Sequence, residues 1–208
     1  ISTLETQVRN ELPINIYTLK KSELAAIKDP AYYSKYNMLI LTEGGDGDTK
    51  TLDSLTLDHL KSFVASGKPA IVIGLAGSQV TGSVGESGWS KLGFVPVACQ
   101  GLKILCDETD IYYTQLSMYA KDINHPILKD FTPTQLTFTT SGDIKYTLVN
   151  PENGVSILDM QVEAGLSNYT SVAIVEKTGT GFGGKVMYFT FHPSLYPPLL
   201  KNVIKYLR

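Results

Sequence analysis

The clearest signal along the chain is a set of short segments that are apolar at every position rather than at alternate ones. Asn37-Met38-Leu39-Ile40-Leu41-Thr42 is one, apolar through its centre and ending in Glu43-Gly44-Gly45. Ala70-Ile71-Val72-Ile73-Gly74, opened by Pro69, is another. A strand that is apolar on both faces belongs to a sheet covered on both sides. Between these two, Leu57, Leu60, Phe63 and Val64 recur at helical spacing over residues 54–66, and Gly67 closes the segment as a C-terminal cap. Strand, helix and strand in that order imply parallel pairing through a right-handed crossover. Residues 2–11 and 21–28 read as further helices, and Ile14-Asn15-Ile16-Tyr17 reads as a short strand.

The second half follows a different pattern. Residues 80–135 are rich in Gly, Ser and Pro, and the strand-like pieces Phe94–Ala98 and Lys103–Cys106 flank a turn at Gln100-Gly101. Short alternating strands then come at Lys145–Val149, Ser156–Val162 and Ser171–Glu176, with turns at Gly142-Asp143 and Glu152-Asn153-Gly154. A last strand, Lys185–Phe191, precedes a closing helix with Leu199, Leu200, Val203, Ile204 and Leu207 on one face and Pro197-Pro198 near its first turn. The expected fold is α/β: a doubly wound, mostly parallel sheet of the flavodoxin-like kind, with antiparallel additions in the second half. Residues 1–208 read as a single domain. A doubly wound fold normally opens on a central strand, whereas this chain opens on a helix. The expectation is therefore a piece of a longer polypeptide whose first strand lies upstream of Ile1.

Composition narrows the classes of function. A hydrophobic fraction of 43% and a charged fraction of 18% suit a folded domain rather than a disordered tail. The net charge is −2 and the 18 Lys and Arg are scattered, so no basic footprint for nucleic acid is present. No apolar run approaches the roughly 20 residues that span a bilayer. Cys99 and Cys106 either close a hairpin as a disulfide, which points to an oxidising compartment, or sit as two ordinary buried thiols. Asn168-Tyr169-Thr170 is a glycosylation sequon. With the Tyr-, Thr-, Ser- and Gly-rich texture, these features favour an extracellular or cell-surface location, the cytoplasm being the alternative.

Three places sit at the carboxyl ends of expected strands, where open α/β sheets bind ligands. In Glu43-Gly44-Gly45-Asp46-Gly47-Asp48, Gly44 and Gly45 free backbone N–H groups for an anion, and Asp46 and Asp48 form a candidate Ca²⁺ pair. The plainer reading is a tight turn with solvated acids. Gly74-Leu75-Ala76-Gly77-Ser78-Gln79 has the shape of a nucleophile elbow, with Ala76 at the apex, Ser78 as the nearby hydroxyl and Gln79 as a ligand contact. Phe191-His192-Pro193-Ser194 puts His192 at a strand end, as a general base or as an ordinary hydrogen-bonded residue. His59, on the exposed side of its helix, and His125, in a loop, share no metal-ligand spacing with it, and the cysteines form no CxxC pair. Trp89 reads as the anchor of a short helix over the sheet edge.

A glycine pair after one strand, an elbow after the next and His-Pro after the last resemble, in that order, a class I glutamine amidotransferase over residues 14–208. Asn124-His125-Pro126-Ile127 followed by Phe131 resembles the trehalose-utilisation-type branch. The resemblance implies a Cys at the elbow and His-Pro-Glu after the last strand. Here Ala76 and Ser194 stand at those positions. Without a thiol no glutaminyl thioester forms, and loss of the nucleophile alone removes several powers of ten in rate. The expectation is a degenerate, non-catalytic module that works through structure or interaction, with other domains of its own polypeptide or a second copy as partner. The alternative is a hydrolase or a small-ligand or sugar-binding domain using the crevice around His192, Asp46 and Ser78. No cofactor is expected apart from Ca²⁺ at Asp46 and Asp48.

Overall fold

The computed structural model describes residues 3–12, 14–17, 19, 23, 29–43, 49–82, 87–99, 108–111, 114–132, 137–140, 144–164, 167–177 and 183–208. The first half contains α1 (Thr3–Glu11), α2 (Pro30–Tyr33), β1 (Leu39–Leu41), β2 (Thr51–Leu52), α3 (Ser54–Ala65), β3 (Ala70–Ile73), β4 (Gln79–Val80), α4 (Ser87–Leu92) and β5 (Val97–Cys99). The second half adds β6 (Glu108–Ile111), β7 (Thr114–Ala120), β8 (Thr137–Thr140), β9 (Ile144–Thr147) and β10 (Val149–Pro151). It closes with β11 (Gly154–Ala164), β12 (Ser167–Lys177), β13 (Val186–Phe189) and α5 (Pro197–Leu207).

One sheet runs in the order β1-β3-β13-β12-β11-β7-β8. Its parallel part is β1-β3-β13, with Leu39 opposite Ala70 and Ala70 opposite Val186. These are the segments apolar at every position, and both faces are covered as that pattern requires. On one face α1 and α5 bring Leu4, Val8, Leu199 and Val203 against Ile71, Ile73, Met187 and Phe189. On the other, α3 and α4 bring Leu57, Phe63 and Trp89 against Val72, Val186 and Tyr188. Asp53 caps α3 by accepting from the Thr56 N–H at 2.8 Å, and Gly67 at φ +96° leads the chain out of it into β3. The flavodoxin-like α/β expectation therefore holds, with helices on both faces of a mixed sheet.

The antiparallel additions reach further than the sequence suggested. β12 pairs antiparallel with β13, β11 and β12 form a long hairpin from Gly154/Lys177 to Ala164/Ser167, and β7 and β8 extend the sheet beyond them. Four of the seven strands thus lie outside the parallel core. Residues 14–17 are not a strand: Ile14 and Ile16 pack on the core, but the Ile16 carbonyl accepts from the Arg9 guanidinium at 2.6 Å. That carbonyl is taken by a side chain rather than by a ladder. The helix expected at 21–28 and the strand at Lys103–Cys106 fall almost entirely outside the described residues.

Away from the parallel strand ends, the Asn124–Phe131 segment is tied to α5 and the sheet. His125, buried, caps the 3-10 turn Pro126–Leu128 by accepting from the Ile127 N–H, and its Nε2 lies 3.1 Å from Glu176 Oε2. The Tyr206 hydroxyl donates to Glu176 Oε1 at 2.7 Å, and Asn202 donates to the Ile127 carbonyl at 3.1 Å. Burial, and then Glu176, push the Tyr206 hydroxyl up to about 12. His125 is accordingly a fastening for α5. No helix among the described residues is long and apolar enough to cross a membrane.

Candidate functional site

The turn after β3 is the centre of the crevice end of the sheet. The Gly74 N–H continues the ladder to the Phe189 carbonyl at 2.9 Å, and the chain then doubles back twice. Ala76 N–H returns to the Ile73 carbonyl at 3.2 Å and Ser78 N–H to the Leu75 carbonyl at 3.0 Å. Gly74 at φ +57° and Gly77 at φ +68° supply the left-handed backbone that these bends need. The Gly77 and Gln79 N–H groups donate to the Thr49 and Lys50 carbonyls, each at 2.8 Å, fixing the turn to the segment leading into β2.

Enclosure follows from what lies on top. Trp89 on α4 donates its indole N–H to the Ala76 carbonyl at 3.0 Å, and its ring meets Tyr188 edge-on with centroids 5.7 Å apart. The Tyr188 hydroxyl donates to the Gly74 carbonyl at 3.0 Å. Gly88 rests so tightly on this turn that a Cβ there would enter the Gly77 carbonyl, and its N–H donates to the Ser78 carbonyl at 2.9 Å. Ala76 is 0% exposed and Ser78 is 2% exposed. Trp89 therefore does more than anchor a helix at the sheet edge; it seals the apex.

The sequence singled out the glycines after β1, but the residue that reaches the turn is Glu43, next to them. Its Oε1 accepts the Leu75 N–H, and its Oε2 lies 3.4 Å from Lys50 Nζ. A side chain on Gly74 would begin 2.7 Å from that same Oε1, so Gly74 also makes room for the carboxylate. The available signal was an acid at the end of an apolar strand, beside glycines. Its partner 32 residues away was not legible. Gly44, Gly45, Asp46 and Asp48 lie outside the described residues.

His192 is half-buried, and desolvation holds its imidazole below the ordinary histidine value. Its Nδ1 lies 2.6 Å from the Ser194 hydroxyl and accepts, at 3.4 Å, from the Ser194 N–H, so it caps the 3-10 turn Pro193–Leu195. Ser194 thus engages Nδ1 of the ring through both its hydroxyl and its N–H. Among the described residues no hydrogen bond joins His192 to Ser78. Gln79 is tied into the β2–β4 pair, its Oε1 accepting from the Thr51 hydroxyl at 3.0 Å. Cys99 is disulfide-bonded; Cys106, the other cysteine of the chain, lies outside the described residues. Asn168 lies in β12. His59 packs its ring near Tyr33, with centroids 6.2 Å apart. Among the described residues no cluster of three His, Cys, Asp or Glu is gathered to hold a metal.

A tight turn after a parallel strand, with helices on both faces of a mixed sheet, belongs to a flavodoxin-like α/β fold. Solved structures share it. A cytoplasmic protein from Salmonella typhimurium superposes with TM-score 0.67 at 14% identity, covering 99% of this chain and 86% of that one. A ThuA-like protein from Parabacteroides merdae gives TM-score 0.61 at 12% identity, over 99% of this chain and 82% of that one. A GH42 beta-galactosidase from G. stearothermophilus gives 0.59 at 12% identity, where 99% of this chain matches 25% of the longer one. No protein-family model and no curated protein matches the sequence. At these identities the likeness is one of fold.

Proposed function

We propose that this chain is a non-catalytic structural or interaction module built on an amidotransferase-like fold. The observation that carries the reading is the enclosed apex: Ala76 offers a methyl group where chemistry would need a nucleophile, and Trp89 closes over its carbonyl. The nearest hydroxyl in sequence, Ser78, is buried, and the late histidine is engaged by Ser194. The partners we propose are other domains of the same polypeptide or a second copy of the chain. The match to one quarter of a GH42 beta-galactosidase chain supports a domain that works within a larger protein. The disulfide at Cys99 supports an extracellular or cell-surface setting. The cytoplasm is the competing compartment, since two Salmonella typhimurium proteins of this fold are described as cytoplasmic.

The test is turnover. Glutamine, 4-nitrophenyl acetate and 4-nitrophenyl glycosides are incubated with the wild-type chain and with a Ser78→Ala/His192→Ala double variant. Equal rates are expected for both proteins on every substrate. A wild-type rate about a hundredfold or more above the double variant, the low end of what a working acid–base group contributes, overturns the reading.

A further inference from the structure

A carboxylate resting on a backbone amide beside a lysine has the surroundings of a bound small anion. Glu43 Oε1 takes the Leu75 N–H, and Lys50 Nζ stands 3.4 Å from Oε2. An amide and an ammonium therefore flank one carboxylate at the carboxyl end of β3. The Gly74, Ala76, Gly77 and Ser78 N–H groups are spent on carbonyls, so Leu75 is the turn residue whose N–H meets an anion, at the end where open α/β sheets bind ligands. The charged pair is not fully buried: the Glu43 and Lys50 side chains keep 18% and 26% of their surface in solvent.

We propose that this turn is a binding site for a small carboxylate, occupied in the resting protein by the chain's own Glu43. An incoming ligand would place one oxygen on the Leu75 N–H and the other towards Lys50, as Glu43 does now. A tethered group competes at an effective concentration of about millimolar or more. Free carboxylate therefore gains the site when Glu43 is withdrawn or removed. The inference rests on the non-catalytic reading and deepens it by naming the class of ligand that the bend recognises.

Chemical rescue tests it. Glu43→Ala, Glu43→Gln, Glu43→Ala/Lys50→Ala and the wild type are melted in sodium formate and in sodium chloride of equal ionic strength. Formate is expected to raise the melting temperature of Glu43→Ala in a saturable way, with half-effect in the millimolar range. The wild type, Glu43→Gln (which still fills the space) and the double variant are expected to respond to formate no more than to chloride. If Glu43→Ala does not fold, Glu43→Ser takes its place with the same outcomes. A folded Glu43→Ala (or Glu43→Ser) protein that responds to formate no more than to chloride, or an equal formate response in all four proteins, overturns the site. That failure would leave the non-catalytic reading standing, whereas formate-displaceable ester hydrolysis would sink the non-catalytic reading and leave the site.

Discussion

Replacing Gly74 by Ala loads the turn at its tightest point. The backbone there has φ +57°, which costs an L-residue roughly 1–2 kcal/mol. The new methyl would also sit 2.7 Å from Glu43 Oε1, so the carboxylate must leave the Leu75 N–H. Losing a hydrogen bond to a charged acceptor costs about 1.5–3 kcal/mol. The sum is roughly 3 kcal/mol or somewhat more, and for a chain of this size it lowers the melting temperature by on the order of 10 °C. Gly67→Ala is the control: φ is +96°, yet nothing lies within 4 Å of its would-be Cβ, so it carries the backbone cost alone. Urea unfolding followed by the fluorescence of Trp89, the single tryptophan and buried against this turn, reads both variants. In Gly74→Ala/Glu43→Ala the losses should fall well short of additive, because the second substitution removes the clash. A Gly74→Ala protein no less stable than Gly67→Ala, or a strictly additive double variant, refutes the placement of Glu43.

Three further outcomes follow from the same contacts. Burial depresses the pKa of His192, so the unfolded chain binds the extra proton. Its contribution is complete at neutral pH and is lost as pH falls below about 6.5; in urea titrations His192→Asn should flatten the pH slope below that point. Glu176→Ala removes the acceptor shared by His125 and Tyr206 and should cost about 2–3 kcal/mol, read by urea unfolding. Trp89→Phe keeps most of the ring but leaves the Ala76 carbonyl without its donor, and a loss of about 1–3 kcal/mol is expected by circular-dichroism melts.

The parallel core was legible because its strands advertise burial on both faces. Leu39–Leu41 and Ala70–Ile73 are apolar throughout, and the helix between them has a capping Asp53 and a closing Gly67. The antiparallel extension was legible only in pieces. Strands with one solvated face, such as β7 with buried Met118 next to exposed Tyr119, give a weaker pattern than a fully buried strand. Ile14–Tyr17 alternates like a strand, but Arg9 holds the Ile16 carbonyl, a tertiary contact that periodicity does not encode. At the site, the elbow-like turn, Ala76 within it and the late histidine were all visible as local motifs. The contacts that decide their chemistry were not: Glu43 to Leu75, Trp89 to Ala76 and His125 to Glu176 join residues 32, 13 and 51 positions apart.

Whether the bend after β3 is shut can be read directly by placing a thiol on it. Ala76→Cys adds one sulfur to a fully buried position and should cost about 1–3 kcal/mol through overpacking, so a thermal melt first establishes that the variant is folded. Ellman's reagent is then added to the native protein, in which Cys99 is already disulfide-bonded. Enclosure predicts a thiol that stays silent in buffer and reacts fully once urea unfolds the chain. Rapid labelling of the folded variant, with a rate that falls when His192 is replaced, would contradict it.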